Sequence, residues 1–213
     1  MQQNKPEYVL VWETALALHN TGLQIGRNIS VENFERLIIL IQYQKELHAE
    51  KLASKNKQEK IIVCDRGILD NLAYSGNELF FKILDEYGMD IDNIVHSYDK
   101  VIYLKSMAQT DPEIFKKSRN PQKLERAVTL SDSILKGWGK YQEDIIQIEA
   151  TEKLKDKLKQ TRNYIKDVTP KSDRQKLKVI SDEVINDYIN KIFEEEQLPY
   201  KICRNVRRTL ARK

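Results

Sequence analysis

The chain has 213 residues, 32% charged and 40% hydrophobic, with a formal net charge of +4. That length holds one α/β domain, or a domain and an appendage, and so small a charge does not by itself point to nucleic acid. Cys64 and Cys203 are too few and too differently placed for a disulfide framework, and no apolar run reaches membrane length, so a cytoplasmic protein with no membrane partner is expected.

In chain order, residues 1–6 are polar and end at Pro6, and Tyr8-Val9-Leu10-Val11-Trp12 predicts a first, interior strand. Glu13 follows at once. Thr14 to Leu18 predicts a short helix that ends before Gly22. Ser30 is the expected N-cap of a long helix from Val31 to about Ser54, with Asn33 in place of the usual Glu. Phe34, Leu37, Ile38 and Ile41 mark its apolar face, which Leu40, Tyr43 and Leu47 widen. Arg36, Gln42, Gln44 and His48 are expected on a solvated flank, and His48 has no partner at metal-ligand spacing.

The most informative stretch is 61–74, IIVCDRGILDNLAY. Ile61, Ile62 and Val63 predict a strand buried on both faces. Asp65 and Arg66 then stand where it ends, Gly67 allows a turn, and Ile68, Leu69, Leu72 and Ala73 have helical spacing. In open α/β sheets the carboxyl ends of strands are where ligands bind. A carboxylate there can hold hydrated magnesium, and a guanidinium fork suits phosphate oxygens. Glu13 occupies the matching address after the first strand. Without a ligand, the simpler roles are a helix cap for Asp65, a solvent-facing Arg66 and a first-turn helix charge for Glu13.

Further along, a helix is predicted over Leu79–Tyr87, stopped by Gly88, and a third strand over Lys100–Leu104. Residues 105–120 read as irregular and basic, with a helix start at Asp111-Pro112. Leu124–Trp138 has helical spacing, Ile145–Ile148 forms a fourth strand, and Thr151 caps a charged helix to about Asp167. Alternating strands and helices predict a parallel sheet with crossovers. Beyond Pro170, Leu177, Ile180, Val184, Tyr188 and Ile192 predict one amphipathic helix, followed by a tail with six basic and no acidic residues from Lys201 to Lys213. That tail could bind RNA or an acidic partner, but it lacks interleaved aromatics, and a solvated helix end is the simpler reading.

Taken in order, the strand ending in Glu13, FERLIILIQYQKE (34–46), IIVCDRGILDNLAY (61–74), SYDKVIYL (97–104) and SDSILKGW (131–138) resemble the P-loop ATP-binding domain of AAA-type ATPase/kinase-like proteins. These are relatives of thymidylate kinase and of the kinase domain of the NAD-biosynthesis regulator. The resemblance covers roughly residues 7–166, and the DRG with its LDN-x-x-Y continuation is its most specific piece. It implies a three-layer α/β fold, a parallel sheet flanked by helices, over 1–167, with 168–213 as a helical extension. It further implies ATP and Mg2+ as ligands, with an unknown phosphate acceptor. By resemblance, Asp65 helps hold the metal, and Arg66 contacts the transferred phosphate or the acceptor. Glu13 orients the acceptor or joins the metal, while Arg119 and Arg126 sit in a lid over the triphosphate.

The sequence departs from the family at its defining motif. None of the seven glycines opens a G-x-x-x-x-G-K-[ST] loop; Gly139-Lys140 is the only Gly-Lys pair, and Tyr141 follows it. The first strand here therefore corresponds to the family's second, and the family's central strand, expected between 61–64 and 100–104, has no counterpart. Such a deletion leaves two strand edges facing each other with unpaired backbone groups, at about 1–3 kcal/mol each. The expectation is a chain shortened at its front and inactive without the phosphate loop; the alternative is a non-catalytic nucleotide- or protein-binding module.

Overall fold

The computed structural model describes residues 7–55, 60–118, 123–149 and 154–211. Strand β1 (Glu7–Val11) leads into α1 (Thr14–His19) and the long α2 (Val31–Ser54), and β2 (Lys60–Cys64) returns parallel to β1. A single 3-10 turn, Ile68–Asp70, then opens α3 (Asn71–Glu86), followed by α4 (Ile91–His96) and β3 (Val101–Leu104). Two short helices, α5 (Met107–Thr110) and α6 (Pro112–Ser118), precede α7 (Leu124–Trp138), β4 (Ile145–Ile148), α8 (Leu154–Lys166), α9 (Asp182–Glu195) and α10 (Tyr200–Ala211).

This is a mixed α/β architecture of parallel strands flanked by helices, but the strands form two separate pairs. Val11 sits beside Cys64 in one pair and Leu104 beside Ile148 in the other. Among the described residues β2 has no neighbour but β1, and β3 none but β4. The sheet is thus open along its middle. The expectation of strands buried on both faces fails for the same reason: every residue of β2 is half-buried, and Tyr8, Leu10 and Trp12, on one face of β1, are exposed. Val11, on the other face, is buried beneath α2.

The hydrophobic core surrounds α2. Ser30 caps its start by accepting from the Asn33 N–H, as the sequence indicates. Leu37, Ile39, Leu40, Ile41 and Tyr43 are fully buried, each such side chain contributing about 1.5–3 kcal/mol relative to exposure. The helix is covered on nearly every side, by α1, α3, α9 and the β1–β2 pair. Gln42 and Gln44, expected on a solvated flank, are therefore buried, and so are Glu35 and Glu46.

The carboxyl-terminal part differs from its predicted form. Leu177 and Ile180 are not helical: residues 171–180 contain no helix, and Ser181 caps α9 by accepting from the Val184 N–H. Helix α9 lies antiparallel along α2. Near its start Asp182 accepts from Gln44 and meets His48 at 3.2 Å, and past its end Glu196 accepts from Asn33 at 2.8 Å. The basic tail is a packed helix rather than a solvated end. Cys203 and Val206 of α10 are buried in the common core while Lys201, Arg204, Arg207 and Arg208 face outward. The segment 105–120, expected to be irregular, is largely helical over its described residues, with Ser106 capping α5 by accepting from the Ala108 N–H. Thr151 lies outside the described residues.

Candidate functional site

Between β2 and β3 opens a cleft of about 1660 Å³, lined by both strands, by the Asp65-Arg66-Gly67 turn and by α7 and α8. It exceeds the roughly 300–1,000 Å³ of ordinary small-molecule pockets. A second hollow of about 360 Å³ between α2 and α9 contains Arg36, which is already paired with Glu32 and Glu86.

The turn at the end of β2 is held by a buried polar network. The Asp65 N–H donates to Val11 O at 2.7 Å, carrying the β1–β2 ladder one residue past the strand. Arg66 then adopts φ 73°, the left-handed region that costs a side-chain-bearing residue about 1–2 kcal/mol. Gln42 stabilises this conformation by donating to Arg66 O at 2.9 Å and to Glu46 at 2.7 Å, while Thr14 donates to Gln42 at 2.5 Å. Tyr98 donates to the other oxygen of Glu46 and accepts from the Ile68 N–H. Asp70 completes the frame by accepting from the Gly67 N–H at 3.0 Å and from the Trp138 indole at 2.6 Å.

The positive φ therefore falls on Arg66 and not on Gly67, where the sequence suggested a tight turn. Gly67 is needed for its size: a Cβ there would lie 2.8 Å from the Trp138 ring and 3.2 Å from the Tyr98 hydroxyl. Asp65 does not cap the next helix; that N-terminal contact is made by Asp70. Neither Asp70 nor Glu46 is among the site residues expected from the sequence. The spacing of Asp70 three residues after Gly67 is a capping-box signal. Glu46, one turn after Gln42 among the polar residues of α2, looks solvated until its neighbours are known.

Charge is distributed unevenly along the cleft. Arg66 is surrounded by Tyr74, Asp70, Glu13 and Asp65. Burial works against its charge, but these neighbours outweigh it and raise its pKa. Burial pushes the Asp70 carboxyl up, although Trp138, Arg66 and the Gly67 N–H pull the other way. Farther along, Lys105, Lys123, Arg126 and Lys157 line the cleft, and burial lowers the Lys157 pKa. The structure thus brings Asp65, Arg66 and Arg126 to one cleft, with Glu13 beside Arg66. Arg119 lies outside the described residues.

Burial also lifts Glu46 to about 7, over the opposing hydrogen bonds from Gln42 and Tyr98, and lifts Glu35 to about 7 by itself. A carboxyl that keeps its proton to about pH 7 when folded, and loses it near 4.5 when unfolded, makes the folded state the better proton binder between those values. Stability then falls as pH rises from about 4.5 to 7. Each such group contributes on the order of 3 kcal/mol, at about 1.4 kcal/mol per pKa unit. Glu35→Gln is expected to leave stability at pH 4.5 unchanged and to raise it at pH 8, as measured by urea unfolding at both pH values.

The donor set suits magnesium nucleotide in part. Magnesium takes one or two carboxylates with phosphate oxygens and water, which Asp65 can supply. Among the described residues there is no group of three His, Cys, Asp or Glu able to hold a metal unaided. Arg66, Arg126, Lys105 and Lys123 offer charge to phosphates, but the sequence holds no G-x-x-x-x-G-K-[ST] motif to supply a cradle of backbone N–H groups. Among the described residues no helix is long and apolar enough to cross a membrane. No curated protein and no solved structure shows significant similarity to the chain. A family model described as "AAA domain" matches residues 2–157, a span that contains both strand pairs and the Asp65-Arg66 turn. The chain belongs to this AAA domain family of P-loop NTPase-like proteins.

Proposed function

We propose that the protein serves ATP-dependent phosphoryl transfer as a kinase-type member of this family, with a phosphate-binding strand completing the sheet between β2 and β3. The observation that carries this reading is the Asp65-Arg66 turn. A charged dipeptide, with Arg66 at positive φ, is held by a hydrogen bond from the buried Gln42 at the carboxyl end of a strand, on the rim of the cleft between β2 and β3. Strain of this kind collects where a side chain must be aimed.

Family membership implies ATP with Mg2+. Asp65 would hold the metal, directly or through water, and Arg66, Arg126 and Lys123 would hold phosphate oxygens. When bound, the metal supplies neutralisation of phosphate charge. This chain's own residues position and screen. Arg66 fixes the phosphate or the acceptor, and the Gln42–Glu46–Tyr98 network keeps Arg66 aimed. Glu13 accepts a hydrogen bond from the acceptor and orients it. The helices that carry Arg126 and Lys157 flank the cleft and limit water. Such chemistry is mostly positioning and charge stabilisation.

The test is turnover by the full chain supplied with a peptide that carries an apolar strand and a G-x-x-x-x-G-K-T loop. Asp65→Ala and Arg66→Ala are each expected to abolish nucleotide turnover, and turnover retained in both variants would sink the reading. The absence of the motif from the sequence favours a second reading, a non-catalytic module, in which the same mixture binds nucleotide but never turns it over.

A further inference from the structure

Resting on the reading above, we infer that Lys45 of α2 is a positioning residue that fixes Glu13 and couples it to Arg66, so that the acceptor side and the phosphate side of the site share one support. Lys45 acts through the chain on either side of Glu13 and not on a reacting group.

The corner between β1 and α1 lacks a local anchor. Glu13 stands at the start of α1 without making a side-chain capping bond, which leaves its carboxylate to a ligand. Trp12 is 67% exposed and gives the corner no apolar hold. The Lys45 ammonium supplies the grip instead. It donates to Trp12 O at 3.1 Å and to Thr14 Oγ1 at 3.2 Å, the residues immediately before and after Glu13. Burial lowers the Lys45 pKa, with no carboxylate among the described residues offsetting it. A cation kept partly out of water without a counter-ion costs stability, and costs of this kind gather at functional sites.

The hydrogen bonds beyond Lys45 run in one direction. An ammonium only donates, so Thr14 Oγ1 accepts from Lys45 and its own hydrogen goes to Gln42 Oε1, at 2.5 Å. With its oxygen engaged there, the Gln42 amide turns its NH2 group to Arg66 O at 2.9 Å and to Glu46 at 2.7 Å. Lys45, Thr14 and Gln42 thus form a relay from the end of β1 to the turn after β2. Thr14 and Gln42 are both buried, and bonds in a buried chain of this kind strengthen one another. Glu13 sits at the near end of the relay, and Arg66 holds its positive φ at the far end. A displacement of about 1 Å between reacting groups can cost about a hundredfold in rate, which is what a common support for the two residues prevents.

Amide NMR of the full chain without nucleotide tests the relay. Lys45→Met keeps the apolar stem and removes the donors. It is expected to move the Glu13 and Thr14 amides and, three hydrogen bonds away, those of Arg66 and Gly67. Thr14→Val cuts the relay, so adding Lys45→Met to it is expected to leave Arg66 and Gly67 where Thr14→Val alone puts them. Lys45→Gln retains a donor and is expected to restore most of the parental positions. In turnover of Mg-ATP with the strand-and-loop peptide, Lys45→Met is expected to lose about tenfold or more, and Lys45→Gln less. Shifts confined to residues 12–14 would overturn the inference, because Lys45 then only caps the corner. Arg66 shifts that persist at full size in the Thr14→Val background would overturn it too, as would parental turnover by Lys45→Met. If Lys45→Met does not fold, the same comparison is made with Lys45→Gln, whose smaller shifts at Arg66 must likewise vanish in the Thr14→Val background. A relay seen by NMR in a chain that never turns over nucleotide would overturn the phosphoryl-transfer reading and leave the coupling of Glu13 to Arg66 standing.

Discussion

Arg66→Gly is expected to keep or slightly raise stability while lowering nucleotide turnover by about a thousandfold or more. Glycine occupies φ 73° without a Cβ penalty, so the variant recovers about 1–2 kcal/mol of left-handed strain. It loses roughly 0.4–1 kcal/mol to the freer unfolded chain. The balance is close to zero or favourable. The guanidinium, however, is gone from the rim of the cleft, and a single positioned donor to a developing phosphate charge is worth about two or more orders of magnitude in rate. Urea unfolding and turnover in the presence of the strand-and-loop peptide read the two effects separately. A variant that unfolds more easily would show that the arginine side chain supports the fold; a stable variant with full turnover would remove Arg66 from the chemistry.

Asp70→Ala carries the largest expected loss of stability. Its two oxygens are the partners of the Gly67 N–H and of the buried Trp138 indole N–H, and alanine strands both donors. At about 1–3 kcal/mol per orphaned buried group, the cost is roughly 2–6 kcal/mol, a large part of a net stability of about 5–15 kcal/mol. The melting temperature should fall by about 4–24 °C, at roughly 2–4 °C per kcal/mol for a chain of this size. Asp70→Asn keeps an acceptor for the indole but presents an NH2 to the Gly67 N–H, and should recover about half of the loss. Near-parental melting of the alanine variant would mean that the DRG turn is held mainly by Gln42 and Glu46.

Much of this was legible in the sequence, because the carriers are local. The β-branched runs of β2 and β4, the Ser30 cap and the unbroken apolar pattern of α2 each determine their own element. The positions of Asp65 and Glu13 at strand ends also followed from local pattern. What was not legible depends on contacts far apart in the chain. Gln42, Gln44 and Glu46 look solvated until α9 and Tyr98, more than 50 residues away, are placed against them. Leu177 and Ile180 keep helical spacing, yet their segment is drawn out by hydrogen bonds to Glu50, Asn93 and His96. Helix α10 looks like a tail in the sequence because its cationic face dominates the composition. Its buried face of Cys203 and Val206 becomes visible only against the core.

The most direct test of a nucleotide site in the β2–β3 cleft is to follow backbone amide shifts by NMR as Mg-ADP is added to the full chain with the strand-and-loop peptide bound. The expected result is saturable shifts at Asp65, Arg66 and Gly67 together with Lys123 and Arg126, all of which line the cleft. Shifts confined to the cationic face of α10, or no shifts at the DRG turn with the peptide in place, would contradict it.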